Sequence, residues 1–274
     1  MKIKFFGTRG SIPVCEQGYQ EFGGNTSCVA VFGESDSDVL VFDAGTGIRN
    51  LGKELMQQEF LPGRKIVIAF SHFHWDHIQG LPFFAPAYDP SKEIHVIALG
   101  NDLNIQDFKA IFAKQMESTY FPVALDNMGA NFSFIPKKSN EQIFPDGIIK
   151  THRHRHPGGA HSYRLEARGK VMVYCTDIEH GSNIEPSIVD FTKGADVLIH
   201  DAQYTPEELP NFRGWGHSSW EQAIEVAERA HVKTLFLTHH DPEHDDTFLH
   251  KVENECQKRF PNCYLAREGM EFSL

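Results

Sequence analysis

The sequence predicts an α/β protein with layered sheets, on three observations. Short apolar runs bounded by turn residues interleave with helical segments, one of those runs is apolar on both faces, and no linker, low-complexity tract or repeat divides the chain. With 274 residues there is ample length for one large core, and residues 1–274 are read as a single domain. In chain order, residues 3–6, Cys28–Phe32, Val39–Phe42 and residues 66–70 read as strands. The last, Ile66-Val67-Ile68-Ala69-Phe70, has no polar face, as expected of a strand covered on both sides. Residues from about 85 to 140 read as an insertion with a helical stretch at 102–115, and Val171-Met172-Val173-Tyr174-Cys175 as a further strand. Aromatic side chains near and within that insertion, Phe83, Phe84, Tyr88, Tyr120 and Phe121, either fill core or stack on a base. Ser219-Trp220-Glu221-Gln222 has the form of a capping box, and Ala223, Val226, Ala227 and Ala230 follow at helical spacing. A strand at Thr234–Thr238, a helix at Asp246–Arg259 and small strands complete the order.

Composition narrows the function. Hydrophobic residues make up 41% and charged residues 23%, which excludes intrinsic disorder and a membrane bundle. Twenty-six basic against 37 acidic residues give a formal charge of −11, unsuited to a broad phosphate-binding surface. An anionic substrate must therefore be met locally. Neither a signal peptide nor a membrane-length apolar run is visible, so a cytoplasmic location without membrane association is expected. The five cysteines form no C-x-x-C pair and are expected to be reduced and mostly buried. The outlying count is 16 histidines, since imidazole is the commonest metal ligand.

Their placement is informative. Ser71-His72-Phe73-His74-Trp75-Asp76-His77 follows the buried strand directly and sets four potential ligands within six positions. A loop turning into a helix can divide them, His72 and His74 toward one ion, Asp76 and His77 toward another. The segment resembles the H-x-H-x-D-H signature of the metallo-β-lactamase superfamily, and the resemblance extends over nearly the whole chain. It implies an αββα sandwich with two mixed β-sheets flanked by helices. It also implies an acid before the loop, as in Phe42-Asp43-Ala44-Gly45, a third histidine (His156), a bridging Asp177 and a last histidine (His239). His240 is the rival for that last position, on the opposite side if the strand continues.

Two distant segments, Phe6-Gly7-Thr8-Arg9-Gly10 and Gly214-Trp215-Gly216-His217-Ser218, resemble the ribonuclease Z branch and related phosphodiesterases. That resemblance implies Asp76, His217 and Asp201 as catalytic side chains, with His217 the proton donor and Asp201 a shorter acid in place of the usual Glu. Two divalent ions are implied, with zinc expected and manganese or iron as alternatives. They would acidify a shared water as the nucleophile for phosphorus. The tRNA endonucleases of the branch carry a long arm after the His156-like ligand, whereas here Ala167-Arg168-Gly169-Lys170 leads straight into the next strand. The expected substrate is thus a small phosphodiester of the cyclic-nucleotide class, with no stable nucleic-acid partner, and the resemblance suggests a homodimer. The alternatives are a tRNA 3′-end endonuclease and an iron redox enzyme, the latter disfavoured because its loop carries Glu where this chain has His74. Around the site, Trp75 is expected to narrow the mouth. His152 and His154 read as solvated strand residues or pocket lining, His180 and His244 as possible phosphate contacts, and Asn25 and Arg9 as anion contacts or turn closers.

Overall fold

The computed structural model describes residues 1–33, 38–57, 63–100, 102–144 and 147–274; residue 101, inside the expected insertion, lies outside this set. The elements are β1 (Lys2–Gly7), β2 (Cys28–Phe32), β3 (Val39–Phe42), α1 (Ile48–Gln57), β4 (Lys65–Ala69), α2 (Trp75–Ile78), β5 (Glu93–Leu99), α3 (Ile105–Gln115), β6 (Asn131–Lys137), β7 (Glu141–Phe144), β8 (Gly147–His154), β9 (Ala160–Ala167) and β10 (Lys170–Cys175). They continue with α4 (Pro186–Thr192), β11 (Val197–Asp201), α5 (Trp220–Arg229), β12 (Thr234–Thr238), α6 (Asp246–Arg259), β13 (Cys263–Leu265) and β14 (Glu271–Ser273). One sheet has the order β14-β1-β2-β3-β4-β5-β6 and the other β13-β12-β11-β10-β9-β8-β7. Both are mixed. The runs β3-β4-β5-β6 and β10-β11-β12-β13 are parallel, and the pairs β1-β2, β2-β3, β8-β9 and β9-β10 antiparallel.

Three cores arise from strand alternation. In β4, Ile66 and Ile68 face outward onto α1 and α3 with Leu51, Leu55, Phe108 and Phe112, while Val67 and Ala69 face the second sheet. The central core joins Phe5, Phe42 and Leu99 of one sheet to Tyr163, Tyr174, Ile199 and Phe236 of the other. A third core seats Ala223, Val226 and Ala227 of α5 and Leu249 of α6 on the outer face of the second sheet. The result is the αββα sandwich. Truncating a central side chain such as Phe236 to Ala would cost about 3–5 kcal/mol, because the surrounding strands cannot close the void.

Most predicted elements fall where expected, and the departures have local causes. Strand β4 is one residue earlier than the apolar run, since Phe70 already turns toward the loop while its N–H still bonds Ile97. Helix α3 begins at Ile105 rather than 102, because the Asn104 side chain accepts the Asp107 N–H and caps it there. The predicted capping box is present, with Ser219 and Gln222 satisfying each other's backbone. Four cysteines are buried, Cys15 is exposed, and all five are free. No helix among the described residues is long and apolar enough to cross a membrane. Between β9 and β10 the chain turns through Arg168-Gly169 alone, both at positive φ, so no segment projects there.

Candidate metal centre

The strands β3, β4, β8, β10, β11 and β12 all end at one edge, the carboxyl end of the parallel runs, where α/β sheets bind ligands. At three of these ends the chain leaves the sheet in the left-handed region: Asp43 (φ 61°), Asp177 (φ 55°) and His239 (φ 65°). That conformation costs a non-glycine residue about 1–2 kcal/mol, although Asp and His are among those that tolerate it. It bends each side chain out of strand alternation and over the sheet edge.

Seven predicted ligands converge there in two groups. His72, His74 and His156 form one, and Asp76, His77, Asp177 and His239 the other, each with its ligand atoms within 4.8 Å of one another. Asp177 stands between them. Its Oδ1 lies 3.7 Å from His72 Nε2 and 3.8 Å from His156 Nε2, while its Oδ2 lies 3.1 Å from His77 Nε2 and 3.4 Å from His239 Nε2. Asp76 Oδ2 is 3.1 Å from His239 Nε2 and 3.3 Å from His77 Nε2. The Nε2 atoms of His72 and His77 are buried without an aligned hydrogen bond. A buried, unmatched nitrogen facing carboxylates is costly in a folded protein and is what a cation would satisfy. The donor set of imidazoles and carboxylates suits a divalent ion of the zinc, manganese or iron kind.

Behind the ligand atoms of His77, His239 and His156, the outer nitrogen has a partner that fixes the tautomer. His77 Nδ1–H donates to Asp43 Oδ2 at 2.8 Å, His239 Nδ1–H to Gln203 Oε1 at 3.0 Å, and His156 Nδ1–H to the Gly216 carbonyl at 2.9 Å. Asp43 also accepts from Ser71 N and Oγ, each at 2.8 Å, and from Tyr174 OH at 2.9 Å. Gly216, at φ 94°, could carry no Cβ, which would fall 2.2 Å from His156 Nδ1. The glycine before His217 is thereby a requirement of His156. Of these supports the sequence pointed only to Asp43; Tyr174, Gln203 and Glu179 were missed. Glu179, whose carboxylate accepts the Gly214 and Gly216 N–H groups at 3.0–3.1 Å and shapes the His217 loop, carries no motif.

His217 sits beside the second group with its ring stacked 4.9 Å from that of His239. Its Nδ1–H donates to Asp201 Oδ2 at 2.8 Å, so the shorter acid does reach. Asp201 is itself fixed by the Ser218 N–H at 2.8 Å, and its Oδ2 also accepts the Asp177 N–H at 3.2 Å. His217 also lines a cavity of about 320 Å³ with Glu179, Ser182, Arg213 and Gln222. A second cavity, about 390 Å³, opens on the His72 and His74 side.

The electrostatics divide the site. Burial disfavours the charged form of His77, but Asp177, Asp76 and Asp43 outweigh it and raise its pKa well above the ordinary value. For His239 burial is likewise outweighed, by Asp177 and Asp76, and the pKa rises to about 9. Burial, with the charge of His77, drives His72 well below its ordinary value, and burial also lowers His74 and His156. The carboxyl of Asp76 stays far below its usual range, since His77 and His239 overcome its burial. A cation entering the second group would displace protons from His77 and His239.

Several expectations are corrected. Strand β8 ends at His154, so His156 lies in the following turn. His154 is buried rather than solvated; its Nε2–H donates to the Asp177 carbonyl at 3.1 Å, and Ser162 Oγ–H donates to its Nδ1. His152 packs on Phe191. His240 points behind the sheet and donates to the Ala266 carbonyl at 2.9 Å, away from the cluster that contains His239. His180 stacks on His200, and His244 bonds Glu208, both apart from the two ligand groups. Arg9 closes turns through the carbonyls of Gly23, Asp241 and His244, and Asn25 bonds Glu268. Trp75 is 67% exposed and lines neither cavity beside the ligand groups. Of the insertion aromatics, Phe84 is core, while Phe83 and Tyr120 are exposed.

Comparison with known proteins agrees with this architecture. Residues 39–240 match the family described as the beta-lactamase superfamily domain. A ribonuclease Z of Picrophilus torridus is 27% identical over 313 positions, covering 100% of this chain and 96% of the relative, and a ribonuclease BN of Escherichia coli O157:H7 is 24% identical with both chains fully covered. Among solved structures, the short form of human tRNase Z superposes with a TM-score of 0.70 at 20% identity, covering 100% and 99% of the two chains. A diphosphatase of the PhnP family superposes with a TM-score of 0.72 at 17% identity, covering 100% and 97%. With its two mixed sheets, flanking helices and matched span of residues 39–240, the chain belongs to the beta-lactamase superfamily.

Proposed function

We propose that the protein is a metal-dependent phosphodiesterase that hydrolyses a small phosphodiester, of which cyclic nucleotides are one class. The observation that carries this reading is Asp177, whose two oxygens face two separate ligand groups, next to a histidine held by its own carboxylate. His72, His74 and His156 would hold one divalent ion, Asp76, His77 and His239 the other, with Asp177 shared. Such ions supply Lewis acidity toward phosphoryl oxygens and lower the pKa of bound water. Asp43, Gln203 and the Gly216 carbonyl keep the ligand imidazoles in the tautomer that presents Nε2 to the centre. Asp201 takes the Nδ1–H of His217, which leaves Nε2–H as the group that would hand its proton to the departing alkoxide oxygen. Residues 1–274 serve as one hydrolase domain in this reading, since both sheets contribute ligands.

A second reading, a tRNA 3′-end endonuclease, is favoured by the ribonuclease Z and BN relatives. Against it stand the charge of −11 and the two-residue turn between β9 and β10. The alignments also run over 313 and 327 positions against 274 residues here, so those relatives carry segments that this chain lacks. One preparation assayed with cyclic mononucleotides, cyclic and linear dinucleotides and precursor tRNA decides between them. Hydrolysis of the small diesters without tRNA cleavage is expected; tRNA cleavage with inert small diesters would overturn the first reading.

A further inference from the structure

The run Thr151-His152-Arg153-His154-Arg155-His156 leaves two arginines that the chemistry above does not use. They differ. Arg155 lies with its guanidinium 3.5 Å from Glu179 Oε1, whereas Arg153 has no carboxylate partner among the described residues. Arg153 lies over the turn that carries His156: its guanidinium packs on Gly159, where a Cβ would fall 2.9 Å from its Nη2 and 3.0 Å from its Nε. The same arginine lines the cavity of about 390 Å³ whose wall includes His72 and His74, together with Phe73, Gly158 and His161. His161 is buried in the same wall. Burial, and then the charge of Arg153, lower its pKa. The acid at the rim, Asp102, is exposed and lies 3.3 Å from Lys138. In a chain of net charge −11, a cation without an acidic partner, at the wall of the ligand groups, is a place built for an anion.

We propose that the cavity of Arg153, His161 and Gly158-Gly159 is a subsite for a second, non-scissile phosphate of the substrate, which makes dinucleotides and other diesters bearing another phosphate preferred over cyclic mononucleotides. It rests on the phosphodiesterase reading and names the substrate class within it. A guanidinium gives a phosphate two parallel N–H bonds, a strong and directional contact. The cavity is also within the range that holds a nucleotide-sized group.

Calorimetric titration of the metal-loaded protein with adenosine 3′,5′-bisphosphate and adenosine 5′-monophosphate tests the subsite without turnover. The wild type should bind the bisphosphate about tenfold more tightly or better, the scale expected for one charge-assisted contact. Arg153→Gln should reduce that preference to less than about threefold, with Arg153→Lys, which keeps charge but not the fork, falling between. Equal wild-type affinities, or a preference that survives Arg153→Gln, would overturn the proposal. Turnover of bis(p-nitrophenyl) phosphate by the same wild-type sample judges the underlying reading separately. Its absence beside a clear bisphosphate preference refutes the hydrolase and leaves the subsite, and turnover without preference refutes the subsite alone.

Discussion

The two sheets build their shares of the site in different ways. The first contributes His72, His74, Asp76 and His77 from one loop after β4, locked from behind by Asp43, Ser71 and Tyr174. The second contributes single side chains from separate places: His156 from the turn after β8, Asp177 after β10, Asp201 at the end of β11, His217 before α5 and His239 after β12. A contiguous loop fixes ligands by local geometry, whereas dispersed ligands depend on the register of four strands and on positive-φ exits at Asp177 and His239. Disturbing the second sheet should therefore damage the centre at its hinge, while disturbing the first should loosen the one loop that serves both groups.

The largest effect is expected at the hinge. Asp177→Asn removes a charge from the group facing both ligand sets and should reduce kcat on bis(p-nitrophenyl) phosphate by about 10³ or more, together with metal content measured by elemental analysis. Loss of turnover with full metal content would break the assignment of Asp177 as a shared ligand. Next, His217→Ala should lower kcat on a diester with an alkoxide leaving group about 10²–10⁴-fold while both ions remain. An unchanged kcat would remove the proton-donor role, and a leaving group that needs no proton should shrink the defect. Third, Asp43→Asn should weaken metal affinity about 10–100-fold through the His77 tautomer, read by competition with a chelator. If Asn at 43 affects affinity as severely as Asn at 177, the distinction between hinge and support collapses.

The smallest effect concerns what lies beneath the dispersed ligands. Burial pushes His154, under Asp177, and His240, behind His239, down to about 3. An unfolded histidine titrates near 6.5, so below that pH the unfolded chain binds protons that these two do not. Their contribution to stability is complete above pH 6.5 and is lost as pH falls toward 3. The urea midpoint should accordingly drop between pH 7.5 and 5, and less so in His240→Gln, which can still donate to the Ala266 carbonyl. A pH-dependence identical in variant and wild type would place the acid sensitivity elsewhere.

The same contrast explains what could be read beforehand. The loop 72–77 was legible because four ligand-type residues follow one apolar strand, and spacing alone reports a local arrangement. Strands β2, β3 and β12 and helix α6 fall at their predicted bounds for a similar reason, since apolar runs and caps are local signals. His156, Asp177 and His239 came from resemblance. Nothing in His239-His240 distinguishes the two until the left-handed turn at His239 sends one ring to the cluster and the other to the Ala266 carbonyl. Gln203, Tyr174 and Glu179 were invisible because each acts through a partner distant in sequence: 36 residues for Gln203 and His239, 131 for Tyr174 and Asp43, and 37 for Glu179 and Gly216. His154 could be read only as solvated or pocket-lining, because a strand's alternation does not tell which face the site covers; it is buried.

The most direct test of a two-ion centre hinged on Asp177 is metal stoichiometry measured alongside turnover. Purified protein stripped with chelator and titrated with zinc or manganese should bind two ions per chain, with hydrolysis of bis(p-nitrophenyl) phosphate rising to its maximum as the second is bound. In Asp177→Asn both saturation and hydrolysis should fail together. One ion per chain at full activity, or an Asp177→Asn variant that holds two ions and turns over normally, would contradict it.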